Sequence, residues 1–415
     1  MRITLLSLGS RGDVQPLLGF GLGLAAAGND VRVAAFPRFE RQVTDAGLEF
    51  APLAEGRISR GATAADRRVA QRGSHQTPAL VALVKDAHSV LGQRLADALS
   101  ACEGAEVIVT NELALLLGWQ ASEHSGAQLV RARLCPPPRV AQNPAAPAVR
   151  QTAWLAMRRW LAAARRGAGL PPLSWREPVG QLAARGTLEL RAYSPAVVPD
   201  SASLSASTQV TGYWFLENDV DPEPPQELAQ FLEAGPPPVC VGFGSMIDAD
   251  PQGMSELAVE ALRRAGQRGV LIRGAQGFDK AQLPDSVHAV GAISHDWLFE
   301  RCSAVVHHGG AGTTATALKA GVPSVIVPHM IDQVAWGRTI HALGAGPAPI
   351  RRRKLSPERL HEAIAAAVTD VKIRERAAAL GGRIRAEDGI KCAVGVFEKH
   401  MQQIAGPSAL ELSNG

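Results

Sequence analysis

The chain has 415 residues, 46% apolar and 20% charged, with a net charge of +4. It is long enough to bury two cores, mildly basic in a way that suits an anionic small-molecule substrate, and too weakly and diffusely charged to argue for nucleic acid. Cys102, Cys135, Cys240, Cys302 and Cys392 show neither paired metal-ligand spacing nor disulfide density, which points to a reducing cytoplasm. RITLLSL lacks a signal peptide's long apolar core, and no run of roughly 18 apolar residues is present to cross a bilayer, so a soluble or at most peripheral protein is expected.

Residues 2–8 read as a first strand that ends at Gly9, and the loop GSRGDVQ leads into a helix predicted to begin around Pro16-Leu17-Leu18. Strand, glycine turn and helix start form the opening of a doubly wound sheet, whose ligands bind at the carboxyl ends of its strands. GxGxxG is absent from the turn, which gives a dehydrogenase little support. Gly19, Gly21 and Gly23 fall inside the helix, where close packing accounts for them. Asp13 has two readings that spacing does not separate. It is an N-cap, or, with Pro16 in its preferred first-turn place and Gln15 as the cap, a carboxylate two residues earlier that is free to face a ligand.

VRVAAF (31–36) is the second strand, residues 51–76 form a polar surface loop, and 78–99 read as an amphipathic helix. AEVIVT (105–110) is a buried strand ending in Asn111-Glu112. Glu112 is a candidate base, set against the commoner reading of a carboxylate that opens a helix. Residues 135–147 turn to proline and alanine, a loop too irregular to be an element. The helix after it carries Trp154, Met157, Trp160 and Leu161 on neighbouring turns. Such aromatics are more often core than ligand contacts, yet in a domain poor in tyrosine and phenylalanine they are where an apolar ligand is sought.

TLELRAYS and STQVTGYW close a first domain, and the prolines and acids of FLENDVDPEPPQELAQFLEAGPPP mark its boundary. The division expected is 1–212, a linker over 213–237, a second domain over 238–393, and a helix with a fraying tail over 394–415. VCVGFGS (239–245) repeats the opening pattern of strand into glycine turn. GVLIR and VHAVG are further strands, and Arg351-Arg352-Arg353-Lys354 is a solvated loop before a helix that begins near Ser356-Pro357-Glu358.

Residues 304–333 concentrate the chemistry. AVVHH is a buried parallel strand broken by Gly309, Gly310 and Gly312, after which TTATALKAG is helical. A helix N-terminus presents unpaired N–H groups, and glycines let a bulky anion approach them, so the turn is expected to hold phosphate with His308 as an added donor. Gly321 and Pro323 stop the helix, SVIVP is the next strand, and Asp332-Gln333 arrive at its carboxyl end, a carboxylate and an amide suited to sugar hydroxyls.

His308-x-Gly310-x-x-Thr313-Thr314, Gly321-Val322-Pro323, Pro328 and Asp332-Gln333 together resemble the donor-binding signature of family 1 glycosyltransferases of the GT-B fold. The pattern is most similar to the bacterial branch that glycosylates antibiotics and to the sterol glucosyltransferases. The resemblance implies two doubly wound, Rossmann-like α/β domains facing each other across a cleft, the last helix returning to the first. It implies an inverting, metal-independent transfer of a hexose from a UDP- or dTDP-sugar to a hydroxyl of a lipophilic small molecule, with no other cofactor.

Residue by residue, the resemblance makes Asp13, in SRGDVQP, the general base where plant relatives use histidine. Asn111 stands where those relatives have the aspartate that orients the histidine. Gly244, Ser245, His308, Gly310, Gly312 and Thr313 fall to the diphosphate, Asp332 and Gln333 to the sugar, the Ile293 backbone and His295 to the base, and Trp154 and Met157 to the acceptor. Two positions depart from the plant signature: Ala292 stands for the base-stacking tryptophan and Thr316 for the ribose-binding glutamate. Trp297 is off the stacking register and reads as core. Asp248-Ala249-Asp250 matches the metal-binding DxD of glycosyltransferases of another fold, but Asp250 before Pro251 is accounted for as an N-cap. LVRARLCPPP lacks the tryptophan-threonine motif of sterol enzymes, which lowers that acceptor. The competing readings are a sterol or lipid glucosyltransferase and a non-transferring relative, a sugar-nucleotide epimerase or helper protein.

Overall fold

The structure is a computed structural model that describes residues 1–57, 85–136, 145–198, 205–216, 224–243, 251–272, 283–329 and 331–405; of Pro251, Ile331, Asp332 and Ala405 it describes the backbone alone. The chain divides into two compact units, one of Met1–Glu55, Ala87–Glu217 and Glu387–Gly415, the other of Gly56–Asp86 and Asn218–Ala386.

The first unit runs β1 (Arg2–Leu6), α1 (Arg11–Ala26), β2 (Asp30–Ala35), α2 (Glu40–Asp45), β3 (Glu49–Pro52), α3 (Leu91–Ala101), β4 (Val107–Thr110), α4 (Leu115–Ser125), β5 (Gln128–Arg133), α5 (Ala146–Gly167), α6 (Pro178–Ala184), β6 (Glu189–Arg191) and β7 (Thr208–Val210). All seven strands are parallel, in the order β3-β2-β1-β4-β5-β6-β7. Helices cover both faces of such a sheet, which is why the central strands are continuous apolar runs rather than alternating ones. The last two residues of β3 fall in the stretch 51–76 expected to be a loop. As an edge strand, EFAP is only partly buried and carries no apolar run by which to be recognised. The helix expected over 78–99 is interrupted at Val90 and resumes as α3, and its first residues, 78–84, lie outside the described part.

The second unit holds α7 (Gln226–Glu233), β8 (Val239–Gly242), α8 (Pro251–Arg264), β9 (Gly269–Ile272), β10 (Val287–Val290), α9 (His295–Phe299), β11 (Ala304–His307), α10 (Ala311–Ala320), β12 (Ser324–Ile326), α11 (Ile331–Ala342), α12 (Pro357–Thr369) and α13 (Val371–Arg385). Its sheet is again all parallel, in the order β10-β9-β8-β11-β12. Ser356 caps α12 and accepts from the Arg359 N–H, so serine and proline do open that helix.

α14 (Gly389–Ala405) belongs to the first unit. It packs on α1, where a Cβ on Gly23 would come within 2.5 Å of Ile390 and 3.1 Å of Val394. The glycines of α1 thus permit a helix-to-helix approach that a side chain would block. Phe20 of α1 stacks on Trp214 at 4.5 Å and meets Phe397 of α14 edge-on at 6.2 Å, which ties the two helices into one core.

Candidate functional site

Two loop systems stand out, one in each unit, each where the strand order of its sheet reverses. In the first unit that point lies between β1 and β4. The chain leaves β1 through Gly9 at φ +123°, where a Cβ would lie 2.3 Å from Oδ2 of Asp13; only glycine lets the carboxylate reach this turn. Oδ2 accepts from the Ser10 N–H at 2.7 Å and from the Ser10 hydroxyl at 2.9 Å. Asp13 therefore closes a capping box from the third position of α1, and Ser10 is the N-cap. This corrects the expected helix start near Pro16, and with it the reading of Asp13 as a carboxylate lying ahead of the helix. Pro16 sits inside α1, where it has no N–H to offer the Gly12 carbonyl.

Asn111, buried at the end of β4, fastens this turn. Its Nδ2 donates to the Leu8 carbonyl at 2.8 Å and to the Ser7 hydroxyl at 3.3 Å, and its Oδ1 accepts from the N–H groups of Ala114 at 2.9 Å and Leu8 at 3.4 Å. Ser7 in turn donates to the Asp13 carbonyl at 3.0 Å. Glu112 turns the other way. Its Oε1 accepts from the N–H groups of Leu134 at 2.9 Å and Cys135 at 3.3 Å. Burial raises its carboxyl above the ordinary range, against the pull of Arg133 and those N–H groups. Glu112 thus anchors the chain beyond β5 rather than opening α4.

In the second unit the order reverses between β8 and β11. β11 ends at His307, whose Nδ1 accepts from the Gly309 N–H at 3.1 Å. Gly309 has φ +86°, and a Cβ there would lie 2.8 Å from Ile326 and 3.1 Å from the Gln333 carbonyl. Gly310 is the N-cap of α10, with extended backbone and no side chain to cap the helix. The leading N–H groups of Ala311, Gly312 and Thr313 thus have no partner within the helix. His308 lies over this turn: a Cβ on Gly310 would be 2.4 Å from its Nε2.

Burial, reinforced by the neighbouring His329 and His295, lowers His308 to about 4. Its ring is neutral near pH 7, and its buried Nδ1 has no hydrogen-bond partner among the described residues. Gln333, buried at the start of α11, accepts from the His329 N–H at 2.7 Å through Oε1, and the His329 ring meets Phe243, just beyond β8, at 5.8 Å. The helix N-terminus, two histidines and an amide therefore converge at the carboxyl ends of β8, β11 and β12.

His295 begins α9 and stacks on Phe299 at 4.8 Å, while Ile293 and Trp297 pack against the core. Gly244, Ser245, Asp248 and Asp250 lie outside the described residues, as does the side chain of Asp332. Trp154 is 2% exposed, donates its indole N–H to the Ser174 carbonyl at 3.2 Å and meets Trp119 edge-on at 5.8 Å. It is core, which corrects its candidacy as an acceptor contact. Met157 and Trp160 are 37% and 50% exposed and share a face of α5 with Val149. The sequence reading gives Ser10 and His307 no role, and names Asn111 only as standing in the place of the relatives' aspartate. The box Ser10-x-x-Asp13 is a usable signal for Ser10, while nothing local marks the contact of His307 or the grip of Asn111 on Leu8.

Two family models match the chain: the glycosyltransferase family 28 N-terminal domain over residues 3–106 and the erythromycin biosynthesis protein CIII-like C-terminal domain over residues 269–389. The sterol 3-beta-glucosyltransferase UGT80A2 of Arabidopsis thaliana is 33% identical over 98% of this chain, which covers 67% of that protein. A sterol 3-beta-glucosyltransferase of Neosartorya fischeri is 30% identical over 97% of this chain, which spans only 30% of it. Among solved structures, the glycosyltransferase of kitacinnamycin superposes with a TM-score of 0.71 at 23% identity, covering 96% of this chain and 98% of that one. The glycosyltransferase VinC in complex with dTDP gives 0.67 at 20% identity, covering 96% and 99%.

Proposed function

Because the chain belongs to the family 1 glycosyltransferases of the GT-B fold, we propose that it is an inverting enzyme that moves a hexose from a UDP- or dTDP-sugar to a hydroxyl of a lipophilic small molecule. One observation carries this reading. The uncapped N-terminus of α10 and the neutral imidazole of His308 form a cluster of unused donors, which suits a leaving diphosphate whose charge grows as the glycosidic bond breaks. Gly310, Gly312 and Thr313 supply the backbone of that cradle, and Gly244 and Ser245 are assigned to the same diphosphate from the sequence. Asp332 and Gln333 take the sugar hydroxyls, and the Ile293 backbone with His295 meets the base.

In the proposed step the acceptor oxygen bonds to the anomeric carbon and gives its proton to Asp13. The bond from that carbon to the β-phosphate oxygen breaks, and its electron pair leaves with the diphosphate. Met157 and Trp160 are the proposed apolar contacts of the acceptor. A sterol acceptor is the second reading, favoured by 33% identity to a sterol 3-beta-glucosyltransferase along nearly the whole chain.

The test combines binding and transfer. UDP, dTDP and their hexoses are assayed for protection against thermal unfolding, and the protective sugar is offered with sterols and with polyketide or macrolide aglycones. A rise in Tm and a glycoside of inverted anomeric configuration are expected. Failure of every UDP and dTDP compound to protect would remove the donor assignment.

A further inference from the structure

His307 ends a buried strand, and the reading above gives it no part. Its ring is fully buried. Nδ1 accepts from the Gly309 N–H at 3.1 Å, which places the ring proton on Nε2, and Nε2 has no hydrogen-bond partner among the described residues. A buried donor left unsatisfied is costly, and a leucine here would remove that cost. The compensating feature is the turn itself. Gly309 is held at φ +86°, packed against Ile326 and the Gln333 carbonyl, and the next residue, Gly310, starts α10. The rotation of the Gly309 peptide decides where the free N–H groups of Ala311, Gly312 and Thr313 point.

We propose that His307 is a positioning residue: its Nδ1 fixes the Gly309 peptide and so aims the N-terminus of α10 at the donor diphosphate, without touching the donor. Burial, reinforced by the neighbouring His308 and His295, lowers the ring to about 3, so the Nδ1 lone pair stays available at every pH at which the protein works. Because it acts through the turn, His307 affects donor affinity and leaves the proton transfer at the acceptor alone.

The inference rests on the diphosphate reading of α10 and is tested so that the two fail differently. Three variants are compared. His307→Leu removes the acceptor, His307→Gln keeps polarity but carries its oxygen past the Gly309 N–H, and His307→Asn keeps an oxygen where Nδ1 stood, since asparagine readily accepts from the N–H two residues on. Donor KM is expected to rise about 10-fold in the Leu and Gln variants, with kcat and acceptor KM within about 2-fold of wild type, and to return to near wild type in the Asn variant. Protection of each variant by UDP or dTDP alone is expected to follow the same order, and unliganded Tm to be no lower in the Leu variant. Wild-type protection with undiminished protection of the Leu and Gln variants would overturn the role of His307 alone, as would an Asn variant as impaired as they are. If the Leu variant does not fold, the comparison of Gln with Asn decides. No protection of the wild type by either nucleotide would overturn both readings.

Discussion

Asn111 grips the peptide of Leu8 from both sides, donating to its carbonyl at 2.8 Å and accepting from its N–H at 3.4 Å. These residues lie just beyond the ends of different strands, β1 and β4, which are neighbours in the sheet. The amide therefore does the work of one more rung of the ladder beyond the point where the strands stop pairing, and it sets the level at which the Gly9 turn leaves the sheet.

Asn111→Leu leaves the Leu8 peptide and the Ala114 N–H buried without partners, so a loss of about 1–3 kcal/mol in urea unfolding is expected. Asn111→Asp keeps the acceptor and loses the donor to Leu8. It is expected to fold and, if Asp13 is the base as proposed, to lose turnover about 10-fold with donor KM unchanged, because only the Gly9–Asp13 turn is disturbed. Wild-type kcat in a folded Asp variant would show that the loop tolerates the loss.

Asp13→Asn retains an oxygen for Ser10 and removes the proposed base. A fall in turnover on the order of 10²-fold or more is expected, with donor protection and Tm nearly intact. Asp13→Ala loses the capping box too and is expected to lose about 1 kcal/mol of stability besides. Equal kinetics for the Asn variant and wild type would leave Asp13 a cap and move the test to Glu112 and His329.

His308 is neutral in the free protein, and a diphosphate placed beside it favours the protonated ring. Donor binding is therefore expected to take up protons and to tighten as the pH falls from 8 to 6, while His308→Ala binds more weakly and shows no such trend. Calorimetry with UDP-glucose or dTDP-glucose in buffers of differing ionisation enthalpy measures the uptake. These diesters have no titration of their own near neutral pH.

The same two histidines set a stability profile. His307 and His308 are lowered from the ordinary 6.5 to about 3 and about 4, so as the pH falls the unfolded chain takes up protons first. Their contribution is complete above about pH 6.5 and is lost as the pH drops through 4 toward 3. The urea midpoint is expected to decline over that window, with a shallower decline in His308→Ala. A midpoint that is flat from pH 6.5 to 4 would contradict the burial of these rings.

On α5, Trp154→Ala removes a fully buried indole and is expected to cost about 3–5 kcal/mol. Met157→Ala, on the exposed face, is expected to leave Tm unchanged and to raise acceptor KM by a few fold. An unchanged acceptor KM would exclude that face from the acceptor site.

Apart from the edge strand β3, the strands and glycine turns of both sheets are legible because doubly covered parallel strands must be apolar runs and their turns need glycine; β11, α10 and β12 follow the pattern of residues 304–328 closely. The start of α1 was misread because Pro16 was given the first turn, although Ser10-x-x-Asp13 spelled the capping box six residues earlier. Trp154 and Met157 look alike in a helical pattern, and only the position of Ser174 and Trp119 decides which one is covered. Asn111 and His307 act through contacts that the chain makes only when folded. One bonds across strands and the other doubles back on its own turn, so neither leaves a periodicity or a spacing to detect.

The packing of α14 on Gly19 and Gly23 of α1 also bears on assembly. A nascent chain emerges from its N-terminus, so α1, which carries Asp13 in its first turn, is made well before its partner. Until Ile390 and Val394 arrive, the glycine groove of α1 stays open, whereas most of the second unit is one uninterrupted stretch of chain that closes without waiting. The first unit is thus begun before the continuous stretch Asn218–Ala386 and completed only after it.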